Sequence, residues 1–268
     1  MPRPDLALPR PSAAAARRLD AALALAPSDP AAARTLATPL LGQPALHVQA
    51  LVLLIDLCRR QGDARAAVLF AERAARLAPK SGRARTLAAL ALREAGQPER
   101  ALRHALAAFA LTPQDLAAQV AVAQAALAVS RPLAGLNAAV ALCRSQAQPQ
   151  ARALAAGLFE ACSPGLAWGV AWIEEAALTG WLRPVGPGPV TAVLVVDGEM
   201  LGRAPAEDPI PGLAPLAGFR LPLPAGLPAG TGLEATLGET GIPLFGSPLL
   251  LPEAPDPAAT AAKDDDHA

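Results

Sequence analysis

Glycine and proline recur on a 34-residue period in the first half of this chain: Gly62 returns as Gly96, and Pro79 returns as Pro113. Between those marks the small residues keep step. Ala67 matches Ala101, Ala71 matches Ala105, and Ala74 matches Ala108. Small residues at fixed offsets on such a period mark a helix–turn–helix repeat. One unit cannot bury its apolar face alone, so units stack into a solenoid with a concave binding surface.

These positions resemble the tetratricopeptide repeat family. In that family a turn Gly separates helix A from helix B, small residues pack helix B, and a Pro closes the unit. Gly62 and Gly96, the six alanines above, and Pro79 and Pro113 fill those roles. Shifted up by 34, Ser28, Ala33 and Ala37 fall at the turn and packing positions, with Pro44 one residue off the closing one. Shifted down, Ser130, Gly135 and Ala139 fall there, with Pro149 two residues late. The reading is about four units over residues 12–149, the outer two degenerate. Phe70 and Phe109 are the only aromatics in this stretch, and the chain has no Tyr. The helices are therefore built from Ala and Leu, strong helix formers that let helices approach closely.

Composition narrows the remaining choices. Hydrophobic residues make 53% of the 268 positions and charged ones 17%, which excludes a chain disordered throughout. No apolar run reaches the ~18 residues of a membrane span. The N-terminus lacks the apolar region of a signal peptide, and residues 1–11 read as a flexible, proline-rich leader. Cys58, Cys143 and Cys162 form no CxxC pair, so free thiols and a cytoplasmic, reducing compartment are expected. Net charge is zero but segregated. Residues 1–160 hold 19 Lys+Arg against 10 Asp+Glu, and residues 161–268 hold 4 against 13. No Lys/Arg run exceeds two residues and no aromatics interleave with them, which argues against specific nucleic-acid binding.

Beyond a bridging helix at residues 150–163 the texture changes. Gly and Pro take 31 of the 94 positions from 164 to 257, a density that forbids long helices. AWGVAWI places Trp168, Val170 and Trp172 on one face of a strand. TAVLVVDGE ends in the hairpin dipeptide Asp197-Gly198. GFRLPLP alternates, and its prolines put it at a sheet edge. LEATL alternates Leu233, Ala235 and Leu237 with Glu234 and Thr236. Five to seven short strands over residues 164–252 give a small antiparallel β-sandwich-like domain. Residues 253–268 read as a disordered acidic tail. The expected fold class is thus α+β and multidomain: a helical tetratricopeptide solenoid, then a small all-β domain.

The β half carries a second resemblance, over residues 178–225. Gly180-Trp181, the strand ending at Asp197-Gly198, the Ala-rich return strand and Gly218-Phe219 with alternating Leu resemble a small β domain of bacterial polysaccharide-assembly proteins. That domain accompanies repeat arrays and glycosyltransferases. Where it often has an Arg-x-Asp-like segment, this chain has Glu207-Asp208-Pro209-Ile210-Pro211. The resemblance implies a setting in glycan or protein-glycosylation machinery, not sugar transfer by this chain.

Catalytic side chains are scarce. His47 and His104 sit in different repeats, and His267 is in the tail. No HExxH, GxSxG, GxGxxG or P-loop string occurs. Ser247 lies in FGSPL, half of a nucleophile elbow at most. Glu174-Glu175 is a neighbouring carboxylate pair, but adjacent residues of a strand point to opposite faces, and Asp264-Asp265-Asp266-His267, which could chelate a metal only weakly, reads as a solubilising end. Trp168, Trp172 and Trp181 serve either as core or as a ring platform for glycan or a partner, with Trp181 the best placed for exposure. No enzyme, cofactor or metal site is expected.

Helix A positions at spacings of three and four map the concave groove: Gln49, Leu53, Asp56 and Arg59 in one unit, Arg83, Leu87, Leu90 and Arg93 in the next, and Gln124 in the third. Family members that clamp a peptide carboxylate repeat Asn where this chain has Asp56, Leu90 and Gln124, so that clamp is absent. An apolar floor with Arg59, Arg83 and Arg93 on its rim suits an acidic or amphipathic segment of a protein partner. The expected function is a non-enzymatic adaptor. The alternatives are an accessory part of a glycosyltransferase system whose β domain contacts glycan, and an oligomerisation piece.

Overall fold

The computed structural model describes residues 11–144, 149–185 and 190–252, with Glu239 described by its backbone alone. The expected leader up to residue 10 and the tail, with Asp264, Asp265, Asp266 and His267, lie outside the described residues. By contacts the chain divides into two compact units, Met1–Ala141 and Leu142–Ala268. The helices run α1 (Ala13–Leu25), α2 (Pro30–Ala37), α3 (His47–Arg60), α4 (Ala64–Leu77), α5 (Gly82–Glu94), α6 (Pro98–Leu111), α7 (Leu116–Ala128), α8 (Leu136–Arg144) and α9 (Pro149–Cys162). No helix among the described residues is long and apolar enough to cross a membrane.

The first unit is a stack of helical hairpins, the arrangement that the tetratricopeptide resemblance implies. Gly62 and Gly96 stand at the turns with φ of +73° and +71°, a region that favours glycine. The same closure brackets each. After α3, Gly62 N–H donates to Arg59 at 3.1 Å and Asp63 N–H to Cys58 at 2.9 Å. After α5, Gly96 N–H donates to Arg93 at 3.0 Å and Gln97 N–H to Leu92 at 2.8 Å. These bonds satisfy helix-end carbonyls that would otherwise lack partners. Ser130 closes α7 the same way at φ +55°, with Arg131 N–H donating to Ala126 at 2.9 Å. A side chain there costs about 1 kcal/mol or more in backbone strain. The N-termini are capped by Asp29, Asp63, Ser81 and Asp115, whose side chains accept from backbone N–H groups two or three residues ahead.

The six register alanines, Ala67, Ala71, Ala74, Ala101, Ala105 and Ala108, are all fully buried, as are Ala33, Ala37 and Ala139 of the outer units. They lie where neighbouring helices meet, and a methyl is the largest group that such close packing tolerates. α4 and α6 end at Leu77 and Leu111, two residues before Pro79 and Pro113. Gly82 opens α5 against the end of α6. A Cβ at Gly82 would stand 2.5 Å from Thr112 Oγ1 and 2.8 Å from Thr112 Cγ2.

The second unit holds α9 and two antiparallel sheets. Its strands are β1 (Trp168–Glu174), β2 (Ala177–Arg183), β3 (Thr191–Val196), β4 (Glu199–Pro205), β5 (Asp208–Pro209), β6 (Ala217–Pro222), β7 (Gly232–Leu237), β8 (Ile242–Pro243) and β9 (Leu249–Leu250). One sheet has the order β1-β2-β6-β5. The other has β4-β3-β7-β8, with β9 also pairing β7. Asp197 and Gly198 form the expected two-residue hairpin turn, at φ +52° and +83°. Glu175 and Ala176 form a similar turn between β1 and β2, at φ +46° and +56°. Glu174 and Glu175 are therefore a strand end and a turn, not two faces of one strand. β6 pairs with β2 along its length and with β5 only at Ala217 and Gly218, so its proline end has a largely open outer edge.

Leu178, Leu182 and Phe219 of the first sheet join Leu194, Leu233, Ala235 and Leu237 of the second in one buried cluster. The segment after β8 ties the sheets together. Leu244 N–H donates to Ala235 of β7 at 2.8 Å. Phe245 N–H donates to Gly169 at 2.7 Å, and its carbonyl accepts from Ala171 of β1 at 2.9 Å. Phe159 of α9 lies against the rings of Trp168 and Phe245, at centroid distances of 5.3 and 4.9 Å.

Candidate functional site

The first unit opens into a cavity of about 790 Å³ lined by α1, α3 and α5. Its geometry follows from the repeat. Leu19, Leu53 and Leu87 stand at successive 34-residue intervals, and all three line it. Equivalent positions on stacked helices face the same way, so one leucine per unit forms a ladder along the floor. Leu19 and Leu53 are 9% and 6% exposed and Leu87 is half-buried, so the apolar surface open to a partner comes from Leu87 and from the edges. Leu23, at 51% exposure, stands at one such edge.

Of the nine groove residues expected from sequence, the structure brings five into this cavity: Gln49, Leu53, Asp56, Arg83 and Leu87. Asp56 is engaged by Arg60 one turn along, at 2.8 Å, and Arg60 also lines the opening. Arg83 is exposed and has no hydrogen-bond or ion-pair partner among the described residues.

The other four do not line it. Arg59, expected on the rim as a free cation, is a strut between α3 and α5. Its Nε and Nη2 donate to the two oxygens of Glu94 at 2.8 and 2.6 Å. That paired fork holds the Glu94 carboxyl below its usual range. Leu90 packs against the buried cluster of Ala89, Ala105, Ala121 and Val122. Arg93 and Gln124 are half-buried, and Arg93 Nε and Gln124 Oε1 are shielded from solvent without a hydrogen-bond partner among the described residues.

Sequence reasoning missed Leu19, Leu23 and Arg60. The signal for Leu19 was present, because stepping back 34 from Leu53 reaches it. The degraded turn marks of the first unit hid the register there. Leu23 follows Leu19 by four residues and Arg60 follows Asp56 by four, so both keep the helical spacing; Leu23 was hidden with Leu19, and Arg60 was passed over for its neighbour Arg59.

In the second unit Trp168, Trp172 and Trp181 are 3%, 5% and 5% exposed, so all three are buried and the expected exposure of Trp181 is not met. Its glycine neighbour explains why. A Cβ at Gly180 would sit 2.0 Å from the Val170 carbonyl and 2.6 Å from the Phe219 ring. Gly180 thus allows close packing between strands and does not swing Trp181 outward. The Trp181 ring meets Trp172 edge-on at 6.0 Å. Both line a cavity of about 320 Å³ with Arg152, Glu174, Asp208 and Arg220. Trp168 donates its indole N–H to Glu160 at 3.0 Å, and Arg183 pairs with the same carboxylate at 2.8 Å. That hydrogen bond, with the Gly165 N–H and Arg183, holds Glu160 below the usual carboxylate range.

The cysteines are unpaired, and burial pushes all three thiols up, so none is primed as a nucleophile. Among the described residues no group of three or more His, Cys, Asp or Glu is placed to hold a metal ion.

No protein-family model and no curated protein sequence matches the chain. Solved structures similar to part of it include MamA 41-end from Desulfovibrio magneticus RS-1. That match is 20% identical, covers 50% of this chain and 78% of the other, and has a TM-score of 0.44. A thermophilic TPR protein from Thermus thermophilus matches at 16% identity over 56% of this chain and 84% of its own, with a TM-score of 0.45. The structure of Naa15/Naa10 bound to HypK-THB matches at 15% identity over 55% of this chain and 23% of the other, with a TM-score of 0.44.

Proposed function

We propose that this chain is a non-enzymatic adaptor that holds a segment of a protein partner in the groove of its helical repeats. The observation that carries this reading is the ladder of Leu19, Leu53 and Leu87 along a cavity of about 790 Å³, edged by the exposed Leu23 and the unpaired Arg83. An apolar floor with a free guanidinium at its edge suits an amphipathic or acidic segment. The test is a Leu23→Asp/Arg83→Glu variant used as bait beside the unaltered chain. Both side chains are exposed, so helical content should persist while the partner is lost. Retention of the same partner at full affinity would place the interface elsewhere.

The second reading, glycan contact by the β unit, has the cavity beside Trp172 and Trp181 in its favour. Against it, Trp181 offers little open ring face for a sugar. A setting in bacterial glycan assembly and a sandwich-like closure of the two sheets belong to that reading. A Trp181→Phe variant that still binds the partner but loses retention on a glycan array would favour it over the adaptor reading alone.

A further inference from the structure

The first unit has another cavity, of about 440 Å³, lined by Glu72, Arg76, Pro79, Arg85, Arg100 and His104 together with Ala75. These residues come from α4, the loop after it, the start of α5, and α6, and none belongs to the groove described above. Their charges do not balance. Glu72 is the single carboxylate of the lining, and it is already engaged by Arg100 Nη2, while Arg100 Nη1 is held by Gln97. Arg85 is anchored by one edge only. Its Nε donates to the Pro79 carbonyl at 2.8 Å, and its two terminal amines have no partner among the described residues. Arg76 is exposed and likewise unpartnered. His104 is half-buried, and its Nδ1 is shielded from solvent with no hydrogen-bond partner among the described residues.

Three guanidiniums against one carboxylate leave two formal positive charges around a partly enclosed opening. The nearby Arg103 adds to the field at His104. Clustered like charges are unfavourable unless an anion covers them, and anchored guanidinium forks suit tetrahedral oxyanions that accept two parallel hydrogen bonds. A phosphoryl group brings about −1.5 to −2 charges, which matches this excess, whereas a carboxylate brings one. Among the described residues no Phe, Tyr or Trp lines the opening to stack a nucleobase.

We propose that this cavity binds a phosphoryl group carried on a peptide side chain, gripped by Arg76 and Arg85 with His104 beside them. The site is independent of the groove and of the partner held there.

The test is calorimetric titration of the full chain, first with inorganic phosphate at an ionic strength matched by potassium chloride. A phosphoserine peptide and its unphosphorylated twin follow. Saturable phosphate binding is expected, tighter binding of the phosphopeptide, and none of the twin. An Arg76→Ala/Arg85→Ala variant should bind at least about tenfold more weakly, the scale of one lost charge-assisted hydrogen bond. An Arg17→Ala/Arg18→Ala variant, which removes two exposed arginines of α1, should bind as the unaltered chain does. Circular dichroism on each variant checks that the helices persist. The Leu23→Asp/Arg83→Glu variant should still bind phosphate, so failure of the groove reading and failure of this one are separable. The proposal is overturned if phosphate binding does not saturate at matched ionic strength. It is also overturned if the two arginine variants lose affinity alike, or if the phosphopeptide binds no better than its twin.

Discussion

Replacing Gly82 by alanine sets two physical effects against each other, and the structure decides the sign. On helix propensity alone the change should help, because alanine in a helix is favoured over glycine by about 0.5–1 kcal/mol. Gly82 does not adopt a positive φ, so no backbone strain opposes it. The space opposes it. The new methyl would meet Thr112 Oγ1 at 2.5 Å, Cγ2 at 2.8 Å and Cβ at 3.2 Å. Thr112 cannot simply turn away, since its hydroxyl donates to the Ala108 carbonyl at 3.1 Å and it caps the end of α6. Overpacking of this kind costs about 1–3 kcal/mol, so Gly82→Ala should destabilise by about 1–2 kcal/mol net. In thermal unfolding followed by circular dichroism, that lowers the midpoint by roughly 2–8 °C for a chain of this size. Thr112→Ala removes the two closest atoms. In its background Gly82→Ala should be neutral or stabilising, so the double-mutant cycle should show coupling. A Gly82→Ala chain that melts at or above the unaltered temperature would refute the packing described for α5 and α6.

Ser130→Gly should raise stability by about 0.5–1 kcal/mol, because a left-handed turn position would gain the residue that occupies it without strain; an unchanged urea midpoint would mean that the turn is not held in that conformation. The His104 pKa is depressed in the folded chain, first by burial and then by Arg85, Arg100 and Arg103, with Glu72 the carboxylate lining the same cavity. The unfolded chain therefore binds the proton more readily. The contribution of His104 is present above its ordinary value near 6.5 and is lost as pH falls below it, so denaturation between pH 7.5 and 5 should show a slope that His104→Gln reduces. An identical slope in that variant would assign the pH dependence to other groups.

The helical half was legible because its determinants are local and repeat. Gly62 and Gly96 fix the turns from a left-handed φ that only their own backbone requires, and the buried alanines follow at fixed offsets. The groove was half legible. Leu53 and Leu87 fell where the register put them, but Arg59 did not stay a free cation. Its partner Glu94 lies one repeat away, and the spacing within α3 carries no information about it. The β half was legible strand by strand and opaque in its pairing. LEATL buries Leu233, Ala235 and Leu237 as its alternation predicts. Nothing local announces that β2 pairs with β6, or that Glu175-Ala176 makes a two-residue turn without the usual turn residues. Trp181 was misread for the same reason, since its burial depends on Val170 and Phe219, which reach Gly180 only after the sheet assembles.

The short run from Ile242 to Phe245 also guards the protein against its own kind. An unpaired strand edge is a template for the edge of another molecule. By bonding β7 through Leu244 and β1 through Phe245, this run occupies two edges at once. A chain damaged or cleaved just before it would expose both, flanked by the apolar faces of Val170 and Leu233. Self-association of such a fragment would then reflect two vacant edges finding each other, with no need for the helical repeats to unfold.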